Sequence, residues 1–571
     1  MYVERVPNRG SPPAVLLRES YREGGKVKKR TLANLSSWPE EQVEALRAVL
    51  RGEPMVPQAD AFEVRRSLPH GDAAAVWTMA RRLGFPALLG PPSRERDLAM
   101  ALLCARVIRP ASKLATTRWW GDTTLGWDLG GERADTDAVY AAMDWLGGRQ
   151  EAIQERLAGR HLEPGGLVLF DVSSSWMEGR TCPLAAFGHP RDGRRGKPQI
   201  TYGVVTNREG CPVAVEVFAG NTADPRAFTE VVGKVRERFG LWEVVMVGDR
   251  GMVTQARIDA LRDHEGMGWI TALRAPAIKA LARESGPLQL SLFDEGNLAE
   301  ITHPDYPGER LVACRNPLLA EDRARTRAEL LWATEAELDK IRATVEAGRL
   351  RDPAKIGVRV GKKVNRYKVA KHFDWEIGEG HFSYRRQEEA IATEAALDGV
   401  YLIRTSVGAG DLSAQEVVEA YKSLSWVEQL FRSLKTVDLD IRPIHHRLAQ
   451  RVRAHVFLCL LAAYLVWHLR RAWAPLTFAD EEPPPRTDPV ARAERSAGAR
   501  TKASRQKTPD GRPVHSFRSL LDHLATLTRN EVSIPAHPHI PPFKQLARPT
   551  EVQRRAFELL EAPIPLRLSY P

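Results

Sequence analysis

The sequence predicts an α/β protein whose sheet gathers carboxylates at one edge, preceded by a helical region. Three observations carry that prediction. LVLFDVSSSW (residues 167–176) is a short apolar run that ends in Asp171, and WEVVMVGDRGM (residues 242–252) is a second that ends in Asp249. Runs of this length and composition read as buried strands. Between and after them, further strand-like and helix-like segments alternate. The third observation is the stretch 413–447, where Ala420, Leu424, Val427, Phe431 and Leu434 recur at helical spacing and place Glu428 beside an apolar stripe. Wound at about 100° per residue, Tyr421, Leu424, Glu428, Arg432 and Lys435 fall close to one line.

Composition bounds the reading. A chain of 571 residues, 43% hydrophobic and 27% charged, has room for several domains and the balance of a globular rather than a disordered protein. Lys and Arg number 83 against 72 Asp and Glu, a net +11 with pI near 9.4, which points to a polyanionic partner. The five cysteines form no C-x-x-C pair, which argues for a reducing compartment and against a structural zinc site. The amino-terminal MYVERVPNRG lacks a signal-peptide core, so a cytoplasmic location is expected. The longest apolar run, residues 456–467, is too short to span a bilayer; it is expected to be a buried core helix, with no membrane partner.

Taken in order, residues 1–55 read as a basic β-hairpin turning at Gly24-Gly25, then a helix opened by a capping box at Ser37-Trp38-Pro39-Glu40. Residues 56–164 are helical in pattern; a DNA-binding head and a plain bundle fit equally. Residues 165–275 carry the two aspartate-ended runs, with strands at 199–205 and 213–219 between them. Residues 276–395 read as an insertion with β-like pieces (298–302, 310–314), a long charged helix (317–349) and a basic run of Lys362, Lys363, Arg366, Lys368, Lys371 and His372. Residues 396–475 return to strand and glutamate helix, 476–515 read as a flexible Pro- and Arg-rich linker, and 516–571 as a helical tail.

Carboxylates at the ends of buried strands cannot stay ionised without neutralisation. A hard divalent cation answers this, since Mg²⁺ takes carboxylate oxygen and keeps positions open for water and phosphate. The basic collar that follows Glu428 (Arg442, His445, His446, Arg447) suits a phosphodiester beside such a centre.

The blocks LFDVSSSW, QITYGVVTNREGCPVAVEVFAGNTAD, VMVGDRGM, LDGVYLIRTS and YKSLSWVEQLFRSLKTVDLDIRPIHHR run in this order over residues 165–473. The series resembles the DDE transposases of bacterial insertion sequences, in particular the insertion-sequence-four superfamily and its sixteen-thirty-four branch. That resemblance implies an RNase H-like (retroviral-integrase-like) core interrupted by an inserted domain. The 179 residues between Asp249 and Glu428, against 78 between Asp171 and Asp249, leave room for the insertion. The superfamily signature Y-x2-R-x3-E-x6-K falls on Tyr421, Leu424, Glu428 and Lys435, with leucine in place of the arginine and Arg432 as its candidate substitute.

The resemblance implies Asp171, Asp249 and Glu428 as catalytic acids and ligands of two Mg²⁺ ions, with Mn²⁺ substituting. It implies cleavage of transposon-end DNA, 3′-OH strand transfer into target DNA, and a homodimer on paired ends. The DNA-contact candidates are Tyr421, Arg432, Lys435, Arg442, His445, His446, Arg447, Arg250 and Lys197. A nuclease that cuts without joining, and a DNA-binding relative without catalysis, are the alternatives from other classes.

Overall fold

The computed structural model describes residues 1–53, 61–282, 287–288, 293–294, 296–485, 488–535 and 538–569. At the amino terminus β1 (Tyr2–Asn8), β2 (Ser11–Glu23) and β3 (Lys26–Asn34) form an antiparallel sheet, so the expected hairpin gains a third strand. Gly24 and Gly25 turn it at φ of 58° and 80°, backbone that glycine adopts without penalty. Its cations are largely met: Lys28 pairs with Glu23, Lys29 with Glu4 and Arg30 with Glu19. In the next helix, Glu40–Leu50, Pro39 itself is the N-cap and no side chain caps the end. The capping box expected from Ser37 does not form, because the helix begins two residues later than the motif requires.

β4 (Glu63–Pro69) leads into the helices Gly71–Arg82, Arg94–Ile108, Thr136–Gly147 and Gln150–His161. The first two bury side chains nearly all round, nine in Gly71–Arg82 and twelve in Arg94–Ile108, whereas the last two bury one stripe each. A helix apolar on every side needs partners on every side. The chief one is the helix Ala449–Ala472, the one described helix long and apolar enough to cross a membrane, of which 83% of the apolar window is buried in the protein. One apolar cluster therefore runs from Ala73 through the central sheet to Leu568.

The central sheet begins with β5 (Leu167–Trp176), β6 (Gln199–Asn207), β7 (Pro212–Ala219), β8 (Val244–Val247) and β9 (Met267–Ala272). It continues with β10 (Leu298–Ile301), β11 (Arg310–Arg315) and, after the hairpin β12 (Phe373–Gly378) and β13 (His381–Arg386), with β14 (Val400–Thr405). The strand order is β10-β11-β14-β9-β8-β5-β6-β7; β5–β8 and β8–β9 are parallel and every other pair antiparallel. At Gly203 in β6 a Cβ would meet the Phe170 ring at 2.5 Å, so the close packing over β5 requires glycine.

Two expectations change here. β10 and β11 belong to the central sheet instead of an inserted domain, because β14 returns beside β11 and closes the ladder between them. The separate module is narrower: the helices Pro317–Glu346 and Pro353–Tyr367 close with β12–β13 around Leu338, Ile356, Val360 and Phe382. Its basic run is partly spent internally, since Lys363 pairs with Glu337, and Lys371 and His372 with Glu394.

The segment expected to be a linker is instead fastened to the core. Lys502, 3% exposed, donates to the Ala474 carbonyl at 3.0 Å and pairs with Glu481; Val490 is buried, and Ser496 bonds to Asp480. The tail is not wholly helical: β15 (Thr528–Ser533) pairs with β16 (Phe543–Leu546) on one side and with β4 on the other. Arg529 of β15 forms a two-pronged bond to Asp128 at 2.5 and 2.9 Å, with both side chains under 10% exposed, and Asp128 also accepts the Leu568 N–H at 2.7 Å.

Removing one partner of a buried pair leaves an uncompensated charge. Asp128→Ala is expected to cost about 3–5 kcal/mol of stability, read as a lowered urea midpoint. A change within about 1 kcal/mol would show that the tail is held by apolar packing alone.

Candidate active site

Register sets the site. β5 and β8 are parallel neighbours with Leu169 opposite Val247. Asp171 and Asp249 each lie two residues beyond that pair, so the period of two in extended chain brings both to one face. β8 ends at Val247, whereas β5 continues to Trp176 against β6 alone. The notch beside the continuing strand is where Asp171 sits. Asp171 is thus in the middle of its strand and not at its end as the apolar run suggested; Val172 to Trp176 keep pairing with Gly203 to Gln199.

The third acid arrives on the helix Leu424–Arg432, which follows Ala414–Lys422 after a one-residue break at Ser423 and ends in the π-turn Ser433–Val437. Ser413 and Glu416 form a capping box at its start. Val427, Leu430 and Phe431 are buried, with Phe431 edge-on to Tyr202 of β6 at 5.8 Å. This packing lays the helix across β5. Leu424, where the signature has arginine, packs against the core.

Electrostatics ties the acids together. Burial pushes the Asp171 carboxyl up to about 7, and the charges of Asp249 and Glu428 push the same way; the Val172 N–H at 2.7 Å and the Arg191 guanidinium oppose them. Asp249 accepts the Gly251 N–H at 3.3 Å; burial, and then the nearby Asp249 charge, push the Tyr421 hydroxyl pKa up. The Glu428 side chain is 62% exposed and lies 3.8 Å from Arg432. Among the described residues the three acids do not close into one set of ligand atoms. Asp171 is held within the sheet, whereas Asp249, just past the end of β8, and Glu428 on its helix are both exposed. The donors are all carboxylate oxygens, chemistry that fits a hard divalent cation.

Lys435 is placed from the π-turn. Its ammonium donates to Ser173 Oγ at 2.6 Å, on the same face of β5 as Asp171, and burial lowers its pKa to about 8. Arg442 pairs with the buried Asp192 at 3.2 Å, and Lys197 with Glu178 at 3.0 Å beside the Trp176 ring. Arg250 is exposed next to Asp249, and its charge acts on Tyr421. Ile444 bridges to Met177, which runs the 442–445 segment along the end of β5 and leaves His445 exposed; Arg447 is also exposed. His446 turns the other way, against the Tyr140 and His455 rings at 6.0 and 5.1 Å, and burial lowers its pKa to about 3.

Sequence reasoning missed Arg191, Asp192, Ser173 and Asp224. Arg191 donates its backbone N–H to Ser174 at 3.0 Å and pairs through its guanidinium with Asp224. Asp224 and Asp249 both lie within 4 Å of the position a Gly251 Cβ would take. The one signal was the density of charge in PRDGRRGK (residues 190–197), which periodicity does not reach.

A sheet edge carrying in-phase aspartates, a glutamate helix and buried cations defines a carboxylate site built for a polyanion. A family model described as "Transposase DDE domain" matches residues 180–465, and one described as "IS1634 family transposase, N-terminal domain" matches residues 3–56. The chain belongs to the DDE transposases, and its amino-terminal segment is similar to the IS1634-type N-terminal domain. No curated protein matches it. Among solved structures, a piggyBac transposase synaptic complex with hairpin DNA is similar at TM-score 0.36 and 8% identity, covering 80% of this chain and 76% of that one. A Mos1 transposase paired-end complex with left transposon end scores 0.14 at 14% identity, covering 34% and 62%. Scores this low define no common fold.

Because the folded chain holds the Asp171 proton more tightly than the unfolded one, ionising it costs stability as pH rises from its ordinary 3.8 through about 7. In chelator at pH 8, Asp171→Asn is therefore expected to be more stable than wild type by on the order of 1–4 kcal/mol, the gap closing near pH 4. Urea midpoints at the two pH values check this. Equal midpoints at pH 8 would mean that the carboxyl is solvated.

Proposed function

We propose that the chain cuts transposon-end DNA and joins the freed 3′-OH to target DNA at Asp171, Asp249 and Glu428, on an RNase H-like core. The observation that carries this is the shared register of the two aspartates, with the glutamate helix packed across the same strand. The order β7-β6-β5-β8-β9, three antiparallel strands continued by two parallel ones, supports the core assignment. Mg²⁺, or Mn²⁺ in its place, bound by the three carboxylates as a pair of ions would activate water and stabilise the leaving 3′ oxygen.

The chain's own residues have distinct tasks. Asp171 must give up its proton near neutrality, and Arg191 favours the ionised form. Tyr421 keeps a neutral hydroxyl near Asp249. Lys435, fixed on Ser173 Oγ, presents a desolvated positive charge beside Asp171, where a scissile phosphate would sit. Arg250 and Arg432 lie beside the acids, and exposed Lys197, His445 and Arg447 are further side chains able to grip the flanking backbone, whereas Arg442 is half-buried on Asp192 and supports the 190–197 loop. The net charge of +11 serves the same partner. Two copies on paired ends complete the proposal, in the cytoplasm.

The test is cleavage of the DNA repeats flanking the coding region, with Mg²⁺, by wild type and Glu428→Gln. Wild type is expected to cut and then join, and the variant to bind DNA but cut only at background. Equal cutting by both would remove Glu428 from the site; cutting without joining by wild type would favour a nuclease. Lys435→Ala is expected to weaken end binding roughly ten- to a hundredfold, the worth of a charge-assisted contact of about 1.5–3 kcal/mol. Unchanged binding and cutting would assign that lysine to packing.

A further inference from the structure

Away from the acids, three side chains of metal-ligating type meet from three separate elements. His161 is the last residue of the helix Gln150–His161, Cys211 lies in the turn between β6 and β7, and His468 is near the end of the helix Ala449–Ala472. One ligand atom from each lies within 4.8 Å of the others. We propose that His161, Cys211 and His468 bind a zinc ion that clips the helical region to the sheet and to the long core helix.

The details favour a ligand set over ordinary packing. His468 Nε2 is buried without a hydrogen-bond partner among the described residues. Such an orphan costs about 1–3 kcal/mol unless something meets it. His161 Nε2 lies 2.8 Å from the Tyr464 hydroxyl oxygen; with Nε2–H donating to that oxygen, Nδ1 keeps its lone pair for a metal, an outer hydrogen bond of the kind that sets the tautomer of a metal-bound imidazole. The turn carrying Cys211 is held by Asn207, whose Oδ1 accepts the Cys211 and Glu209 N–H groups at 2.9 and 3.1 Å.

Two imidazoles and a thiolate are the donors of tetrahedral zinc. Ligands at about 2.0–2.3 Å need edges of roughly 3.3–3.8 Å, so side-chain rotation of about 1 Å closes the set. The fourth position falls to water or to Glu209. Glu209 lies two residues before Cys211, its charge acts on both His161 and Cys211, and with His161 it lines a cavity of about 790 Å³. Binding releases the Cys211 thiol proton to solvent, and no redox partner is involved. The cysteine spacing argued against zinc because the other two ligands stand 50 residues before and 257 after Cys211. The clip does not depend on the DNA chemistry proposed above.

The test is metal content of the full chain, without a histidine tag, reconstituted with zinc and desalted. About one zinc per chain is expected in wild type and in Asp249→Asn, and its loss in Cys211→Ser and His468→Gln. Cobalt in place of zinc should show tetrahedral bands with a thiolate charge-transfer band, absent in Cys211→Ser. A strong chelator should lower the Tm of wild type and leave that of Cys211→Ser unchanged. Wild type without zinc, or variants that keep as much zinc as wild type, would overturn the site. Should either variant fail to fold, the cobalt spectrum of wild type decides alone: no thiolate band, no site.

Discussion

The parallel pairing of β5 with β8 is the constraint on which the site depends. With Leu169 opposite Val247, Asp171 and Asp249 project together, and a slip of one residue would turn one of them to the other face. The register is held by burial on both faces, where Phe170 packs on Phe228 and on Gly203 beneath one face and Tyr202 on Phe431 above the other. Bringing like charges together opposes folding. The protein answers with Arg191 near Asp171 and with Asp249 and Glu428 left exposed to solvent.

The helix Ala449–Ala472 extends that constraint to the whole chain. Its buried residues belong to one apolar cluster with the helical region, the sheet and the carboxyl-terminal helices. The helices between residues 71 and 161 are therefore continuous with the catalytic body, which bears on how they could engage DNA: through surface side chains of a fixed scaffold. The tail strand β15 pairs with β4, a ladder that joins residues more than 400 apart in sequence. Such non-local closure costs loop entropy that only the shared core recovers.

What could be read from sequence was what repeats with a local period. The apolar runs marked β5 and β8, the stripe from Ala420 to Leu434 marked the glutamate helix, and the segment 456–467 marked the central core helix. Strand ends were misjudged at Asp171 because the continuing residues, Ser173 to Ser175, are buried by pairing with β6, which hydropathy does not register. The 476–515 segment looked like a linker by composition, yet a single lysine with three oxygen partners, Lys502, fastens it. His446 looked like a DNA contact from its neighbours in sequence, and only packing against Tyr140 and His455 shows its direction.

That packing explains why so many cations lie beneath the loop that follows the glutamate helix. Arg106 donates to the Leu439 carbonyl at 3.3 Å, His455 meets the Ile441 carbonyl at 3.0 Å, and Lys113 bonds to His455 at 3.0 Å. Burial drives the Lys113 and His455 pKa values well down and Arg106 adds to both shifts; Arg106 and His455 meet backbone carbonyls, while Lys113 meets the His455 imidazole. Neutral or carbonyl-bonded bases inside the fold can brace a loop without neutralising the carboxylates across the sheet. The buried acid at the head of the loop, Asp438, is met by Arg470 at 2.8 Å. Arg442 stays on Asp192 and Lys435 on Ser173, so positive charge remains at the face where Asp171 and Asp249 project. The separation of the two charge systems, one spent on backbone oxygen and one kept at the acids, follows from which side of the 439–446 loop each group approaches.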